Sequence, residues 1–377
     1  MPAFPRFTPL VSALPSTVPF VGPEAIERNR HLTVQARIGA NENGFGPAPS
    51  VIAAMSAAGA ESWKYADPEN YDLKQALAAH LGCQPANLAI GEGIDSLLGQ
   101  IVRLVVDPAA HSGAGTGMPV VTSLGAYPTF NFHVAGYGGR LVTVPYVDDR
   151  EDLNGLLDAV KRENPPLVYF ANPDNPMGSW WDADSIVAFA KALPETTLMV
   201  LDEAYCETGP DNAMPSIASL IDLPNIIRTR TFSKAYGLAG ARIGYAITTP
   251  GTALAFDKVR NHFGMNRAGV AGAVQALKDK AYLTDVVGRI KASRQRIGAI
   301  AADNGFAALP SATNFVAIDC GRDGAFAKSI VDGLMERGVF IRMPGVAPLN
   351  RCIRVSTGPD ADMALFENAL PEVLKGL

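Results

Sequence analysis

The chain is poor in the residues that build metal or disulfide scaffolds. Its four cysteines, Cys83, Cys206, Cys320 and Cys352, form no C-x-x-C pair, so neither a zinc site nor a disulfide framework is expected. Reduced thiols in a cytoplasmic protein are the simplest reading. The five histidines, His31, His80, His111, His133 and His262, show no H-x-x-x-H or H-E-x-x-H spacing, which argues against a metal centre. There is no basic excess: a net charge of −5 with 18% charged residues offers nothing to attract nucleic acid or an anionic membrane. No segment has the run of about 18 apolar residues that a membrane span needs. Within residues 1–20, Pro2, Pro5, Pro9, Pro15 and Pro19 break each apolar run before signal-peptide length, leaving an irregular arm.

What remains is a 377-residue chain, 48% hydrophobic, enough for two units rather than one small core. Seven β-rich segments are expected at Leu88–Ile90, Pro119–Ser123, Arg140–Pro145, Leu167–Phe170, Leu198–Asp202, Ile226–Thr231 and Ala241–Ile247. Several, such as LVYF and LMVL, are apolar at consecutive positions, as in strands covered on both faces of a mostly parallel sheet. With helices between most of them, the fold class is α/β, a mostly parallel seven-stranded sheet with helices on both faces. Leu73, Leu77 and Leu81 recur at helical spacing before Gly82. Beyond about residue 250 the pattern changes to long helical stretches, roughly 252–302 and 323–337, around strands at Phe315–Asp319, Val339–Arg342 and Cys352–Val355. That predicts a smaller α+β domain, with Phe326, Ile330 and Leu334 as a helix stripe and Gly338 as its cap. The expected division is 1–40 as an arm joining the small domain, 41–250 as the large domain and 251–377 as the small one. The three glycines of HSGAGTG, 111–117, lack the following Lys-Ser/Thr of a phosphate loop and read as a surface loop.

Four segments carry chemistry. In TRTFSKAYGLAGARIG, 229–244, Lys234 follows a strand in a Ser/Thr-rich turn; a lysine there can bond an aldehyde, with Thr231, Ser233 and Arg242 placed to hold a phosphate. A solvated surface lysine is the bland alternative. In LMVLDEAY, 198–205, Asp202 ends an apolar strand at the edge where open α/β sheets bind ligands. It can pair with a protonated pyridine nitrogen, with Tyr205 near the ring's phenolic oxygen, or simply cap a helix. FANPDNPMG, 170–178, is a rigid turn that points Asn175 towards that same oxygen. In IGEGIDSLL, 90–98, glycines precede a helix whose free N–H groups suit a phosphate; Ser96 in place of a third glycine rules out a dinucleotide fingerprint.

These segments, in this order, resemble fold-type I pyridoxal-phosphate aminotransferases, particularly the histidinol-phosphate aminotransferase branch. Ala40–Pro47 (ANENGFGP), Trp63–Leu77 and Arg354 in CIRVSTG extend the likeness over nearly the whole chain. The resemblance implies that pyridoxal 5'-phosphate is held covalently by Lys234, that Asp202 meets its pyridine nitrogen, and that Tyr205 and Asn175 meet its phenolic oxygen. Tyr127 would stack on the ring, or pack in the core as aromatics do. Gly93, Ile94, Thr231, Ser233 and Arg242 would meet its phosphate, joined by Tyr65 from the other subunit of a homodimer. Arg354 would pair with the substrate carboxylate, Arg342 would lie near the substrate's anionic end or be a surface charge, and Phe20 and Asn41 would face the substrate.

The implied reaction moves an amino group between a small-molecule amino donor and a 2-oxo acid by a ping-pong route. Phe20 in PFVGP and Phe45 in GFG stand where the branch carries tyrosines, so the expected donor is histidinol phosphate or an unphosphorylated, aromatic amino acid. Trp180, Trp181, His262 and Phe263 are candidates for an apolar lining or for packing. Two other readings share the scaffold: a decarboxylase similar to threonine-phosphate decarboxylases, and a non-catalytic sensor of the cofactor. The sensor reading requires a DNA-binding domain, for which residues 1–40 are too short and proline-rich.

Overall fold

Five consecutive apolar residues, LVYFA at 167–171, can be buried in a strand only if both faces are covered. The computed structural model, which describes residues 7–16, 21–110 and 116–377, has that arrangement. In chain order the strands are β1 (Ala36–Arg37), β2 (Leu88–Gly91), β3 (Pro119–Ser123), β4 (Arg140–Val144), β5 (Leu167–Ala171), β6 (Leu198–Asp202), β7 (Ile226–Thr231), β8 (Gly244–Ile247), β9 (Ala307–Ala308), β10 (Phe315–Asp319), β11 (Val339–Phe340) and β12 (Cys352–Ser356). Seven make one sheet in the order β2-β8-β7-β6-β5-β3-β4. Neighbours run parallel except β8, antiparallel to both β2 and β7. Leu167, Tyr169 and Ala171 of β5 enter the core beneath helices Gly93–Val105 and Pro128–Gly136, while Val168 and Phe170 enter the opposite core beneath Leu153–Glu163 and Ala183–Ala192. Period-two alternation thus feeds two apolar layers at once.

The last sheet strand begins at Gly244 and not at Ala241. Ala239–Ala241 forms a 3-10 turn and Arg242 takes a left-handed φ of 55°. That reversal turns the Arg242 guanidinium back towards Ser233 and the carbonyl of Glu92.

A second core gathers around the antiparallel order β12-β10-β9, packed by helices Lys280–Asp303, Gly324–Glu336 and Asp360–Leu374. Ala36 and Ile38 join it, because β1 pairs in parallel with β11. Phe326 is only partly buried; Ile330 and Leu334 carry the helix stripe, and Gly338 ends it at φ 75°. The expected long helix over 252–302 is broken: Asn266 caps a new start by accepting from the Gly269 N–H, and Asp279 caps another by accepting from Tyr282 N–H. Helix Arg267–Lys278 then packs with Pro49–Gly59 and Tyr71–Leu81 against β2 and β8.

The arm is more regular than its prolines suggest. Pro9 and Pro23 open short helices, Pro9–Ala13 and Pro23–Arg30, at the first turn, where a missing N–H costs nothing. Among the described residues no helix is long and apolar enough to cross a membrane.

Candidate active site

Parallel strands deliver their carboxyl ends to one edge of the sheet, and there Ala171 of β5 pairs with Asp202 of β6, Asp202 with Thr229 of β7, and Thr231 ends β7 two residues on. A cleft of about 360 Å³ opens on this edge, lined among others by Ile94, Tyr127, Asn175, Asp202, Tyr205, Thr231, Ser233, Lys234 and Arg242. The side chains expected to act together therefore share one cavity.

Asp202 does not cap a helix. One oxygen accepts from the Ala204 N–H at 3.0 Å and the other from the Tyr169 hydroxyl at 2.8 Å. Burial raises its pKa to about 6, opposed by the Tyr169 and Ala204 hydrogen bonds and the Lys234 charge. Lys234 is no surface lysine: its Nζ donates to the Asn41 carbonyl at 3.1 Å, and burial, then repulsion from Arg354, pulls it down to about 8. Asn41 also donates to the Tyr205 hydroxyl at 3.0 Å, and burial pushes that phenol well above its ordinary value.

The anion cradle lies beyond. Thr231 Oγ1 meets Ser233 Oγ at 2.9 Å, the Arg242 guanidinium reaches Ser233 Oγ at 3.4 Å, and helix Gly93–Val105 begins at Gly93 with φ 83°. A Cβ at Gly93 would meet Arg242 Nη2 at 2.2 Å, so only glycine lets the guanidinium close over the helix N-terminus. This set of donors fits a phosphate, and the carboxylate, phenol and amine of Asp202, Tyr205 and Lys234 fit a pyridine ring bearing a phenolic oxygen and an aldehyde.

Next to it a second cleft, of about 480 Å³, is lined by Val21, Asn41, Tyr127, Asn175, Lys234, Arg342 and Arg354, among others. Arg342 and Arg354 face each other in an antiparallel bridge. Arg354 Nη1 donates to Asn175 Oδ1 at 2.5 Å, while its Nε is buried without an acceptor. Desolvation lowers it to about 10. Arg342 Nη2 donates to the Val21 carbonyl at 3.1 Å.

Some expected residues stand elsewhere. Phe20 lies outside the described residues, as do residues 111–115 of the glycine loop. Tyr65 is 76% exposed, its ring 4.9 Å from Phe263. Trp180, Trp181, His262 and Phe263 line neither cleft. Trp181 donates to the Glu151 carbonyl beneath Arg150, and His262 meets the Asp257 carbonyl. Phe45 stacks its ring under Arg289. Conversely, Tyr169 and Asn314 escaped the sequence reading. Tyr169 was hidden as one more apolar strand residue, although its hydroxyl was the only polar group in LVYFA; Asn314, which donates to the Asn41 carbonyl at 3.1 Å, gave no signal.

A doubly covered, mostly parallel sheet carrying a half-buried lysine, a carboxylate and an anion cradle at its carboxyl edge defines a fold-type I pyridoxal-phosphate enzyme. The chain belongs to the class I and II aminotransferases, whose family model matches residues 33–371. It is 36% identical to histidinol-phosphate aminotransferase 1 of Mesorhizobium japonicum, covering 90% of each chain. It is 69% identical to the histidinol-phosphate aminotransferase of Sinorhizobium meliloti, solved in complex with pyridoxal-5'-phosphate, with a TM-score of 0.95 over 100% of this chain and 99% of that one. The aspartate aminotransferase of Thermus thermophilus shares the fold at 18% identity, with a TM-score of 0.81 over 98% and 100% of the two chains. This protein is accordingly a pyridoxal-phosphate-dependent aminotransferase.

Proposed function

We propose that the amino donor is histidinol phosphate and that the acceptor is a 2-oxo acid. The observation that carries this reading is the second cleft, where Arg342 and Arg354 stand on one wall and no carboxylate lines the cavity among the described residues. Two guanidinium groups suit a phosphate or carboxylate oxyanion, and the names borne by the relatives at 36% and 69% identity favour the phosphate. Phe45, packed under Arg289, lines neither cleft, so its lost hydroxyl gives little support to an aromatic donor.

When bound, the cofactor supplies an electron-withdrawing pyridinium ring that stabilises negative charge on the substrate's reacting carbon. Asp202 would hold the ring nitrogen protonated, and Tyr169 would keep its carboxylate aimed. Tyr205 and Asn175 would meet the phenolic oxygen, Tyr127 the ring face, and Gly93, Ile94, Thr231, Ser233 and Arg242 the phosphate. Lys234 Nζ, drawn towards neutrality by burial, takes the proton from the substrate's amino-bearing carbon and holds it for return. Arg354 orients the substrate anion, with Arg342 beside it and Asn41 bracing both Lys234 and Tyr205.

The working form is a homodimer in the cytoplasm, with Tyr65 reaching the partner's cofactor phosphate. Trp63 and Tyr65, 81% and 76% exposed, are large aromatics left mostly uncovered in a single chain, as at an interface. Residues 41–250 form the cofactor-binding unit, supplemented by helix Arg267–Lys278, and residues 1–40 serve the C-terminal unit through β1. A half-reaction screen tests the donor: conversion of bound cofactor to its amine form should be fastest with histidinol phosphate in a panel including phenylalanine, tyrosine, aspartate and alanine. A faster reaction with an aromatic amino acid would replace the proposed donor, and carbon dioxide release without a 2-oxo acid would replace the reaction.

A further inference from the structure

Behind the wall that carries Asn175 and Arg354 lie two buried carboxyl groups with no salt bridge among the described residues. Glu151, 1% exposed, accepts from Ser123 Oγ at 2.6 Å and from the Ala171 N–H at 3.1 Å. Asp174, 2% exposed, accepts from the Tyr146 hydroxyl at 2.8 Å and from the Met177 N–H at 3.0 Å. Each carboxyl lies within reach of the other's charge, and two like charges in one dry site do not both ionise.

Another buried glutamate makes the contrast. Glu203, 0% exposed, is met by Arg228 Nη2 and Arg230 Nε, each at 2.7 Å, and although burial raises it, the two arginines hold it below its ordinary value. Glu151 has no such partner; burial, then the charge of Asp174, pushes it well above the carboxylate range. The groups facing the pair are Ser123 on β3, Tyr146 after β4, Tyr169 on β5 and Arg354 on β12, and of these only Arg354 is a cation.

We propose that Glu151 and Asp174 share one proton behind the substrate cleft, Glu151 as acid and Asp174 as base, and that this pair positions Asn175 and Arg354 for the substrate's anionic group. The inference rests on the reading of Arg354 given above. Asp174 fixes its turn at both ends, donating its N–H to the Ser179 carbonyl at 2.9 Å and accepting at its carbonyl from Gly178 N–H at 3.1 Å. Asn175 is the next residue, and its Oδ1 holds Arg354. One negative charge at Asp174 stabilises the guanidinium through space without occupying it, which leaves the Arg354 donors for substrate. Two charges would draw Arg354 back; none would leave it uncompensated in a dry wall.

The test uses the holoenzyme and two side-chain isosteres at pH 7. Glu151→Gln keeps a donor towards Asp174, so it should raise KM by a smaller factor than Asp174→Asn does, less than the loss of one hydrogen bond to a charged group. Asp174→Asn removes the charge, and KM for donor and 2-oxo acid should rise by about tenfold or more, with kcat less affected. Should that variant not fold, Tyr146→Phe, which deletes one donor to Asp174, should raise KM in the same direction by a smaller factor. Infrared spectroscopy should find a protonated-carboxyl stretch in the wild type that vanishes in Glu151→Gln. An unchanged band, or unchanged KM in the Asp174 or Tyr146 variant, would overturn the proposal. A failure of the Arg354 assignment is read separately, as unchanged KM in Arg354→Ala, because the infrared band needs no substrate.

Discussion

The two clefts meet at Lys234 but are built in different ways. The cofactor cleft takes its polar groups from the ends of adjacent strands and the turns that follow them: Asp202 at the end of β6, Thr231 at the end of β7, Ser233 and Lys234 two and three residues on. The substrate cleft draws on residues far apart in the chain, Val21 and Asn41 near the start and Arg342 and Arg354 near the end. Strand ends in a buried sheet are held by ladders on both sides, so the first set is preorganised. The second depends on the fit of the C-terminal core and the arm, through the short pairing of β1 with β11. Cofactor binding should therefore tolerate changes in the arm better than substrate binding does.

Substitutions that separate the halves sharpen this contrast. The largest loss is expected from Lys234→Ala: kinetics should find turnover reduced by at least the roughly 10²–10⁴-fold that positioned proton transfer supplies, while ultrafiltration still finds cofactor retained by the phosphate cradle. Arg354→Ala comes next. Losing a hydrogen-bonded charge costs about 1.5–3 kcal/mol, so kcat/KM should fall on the order of 10–150-fold, with cofactor affinity unchanged in a fluorescence titration. A matching loss of cofactor would mean that the two halves are not independent.

Tyr65→Phe should weaken the cofactor and leave substrate KM alone. Deleting one hydrogen bond costs about 0.5–1.5 kcal/mol, read as a modest rise in cofactor Kd, and a heterodimer with a Lys234→Ala partner would show the residue acting across subunits. The smallest effect is on rate with pH. Because burial brings Lys234 down to about 8, the neutral amine grows as pH rises through that value, and capture of cofactor by apoenzyme should accelerate and then level off above it. A stopped-flow absorbance midpoint near the ordinary lysine value would show the amine to be solvated in solution.

The same contrast explains what could be read in the sequence. The seven sheet strands were legible, LVYF and LMVL because such apolar runs have few other uses; Asp202 was legible because it ends one of those runs, and Ser233 and Lys234 because they stand in a Ser/Thr-rich turn just after a strand. Asn175 and Arg354 were found by motif, but their mutual hydrogen bond was not, since 179 residues separate them. Pro9 was read as breaking the arm when it starts a helix, an ambiguity inherent in a residue that interrupts most helix interiors yet suits the first helical turn. The break at 259–266 was missed because its signal is a single capping residue, Asn266. Nothing in the sequence singles out Glu151 or Asp174; burial distinguishes them, and burial is a property of the fold.

Reduction of the purified holoenzyme with borohydride, followed by peptide mass mapping, tests the central claim most directly. The pyridoxyl group should be found on the peptide containing Lys234 and nowhere else; its recovery on another lysine, or on none, would contradict the assignment.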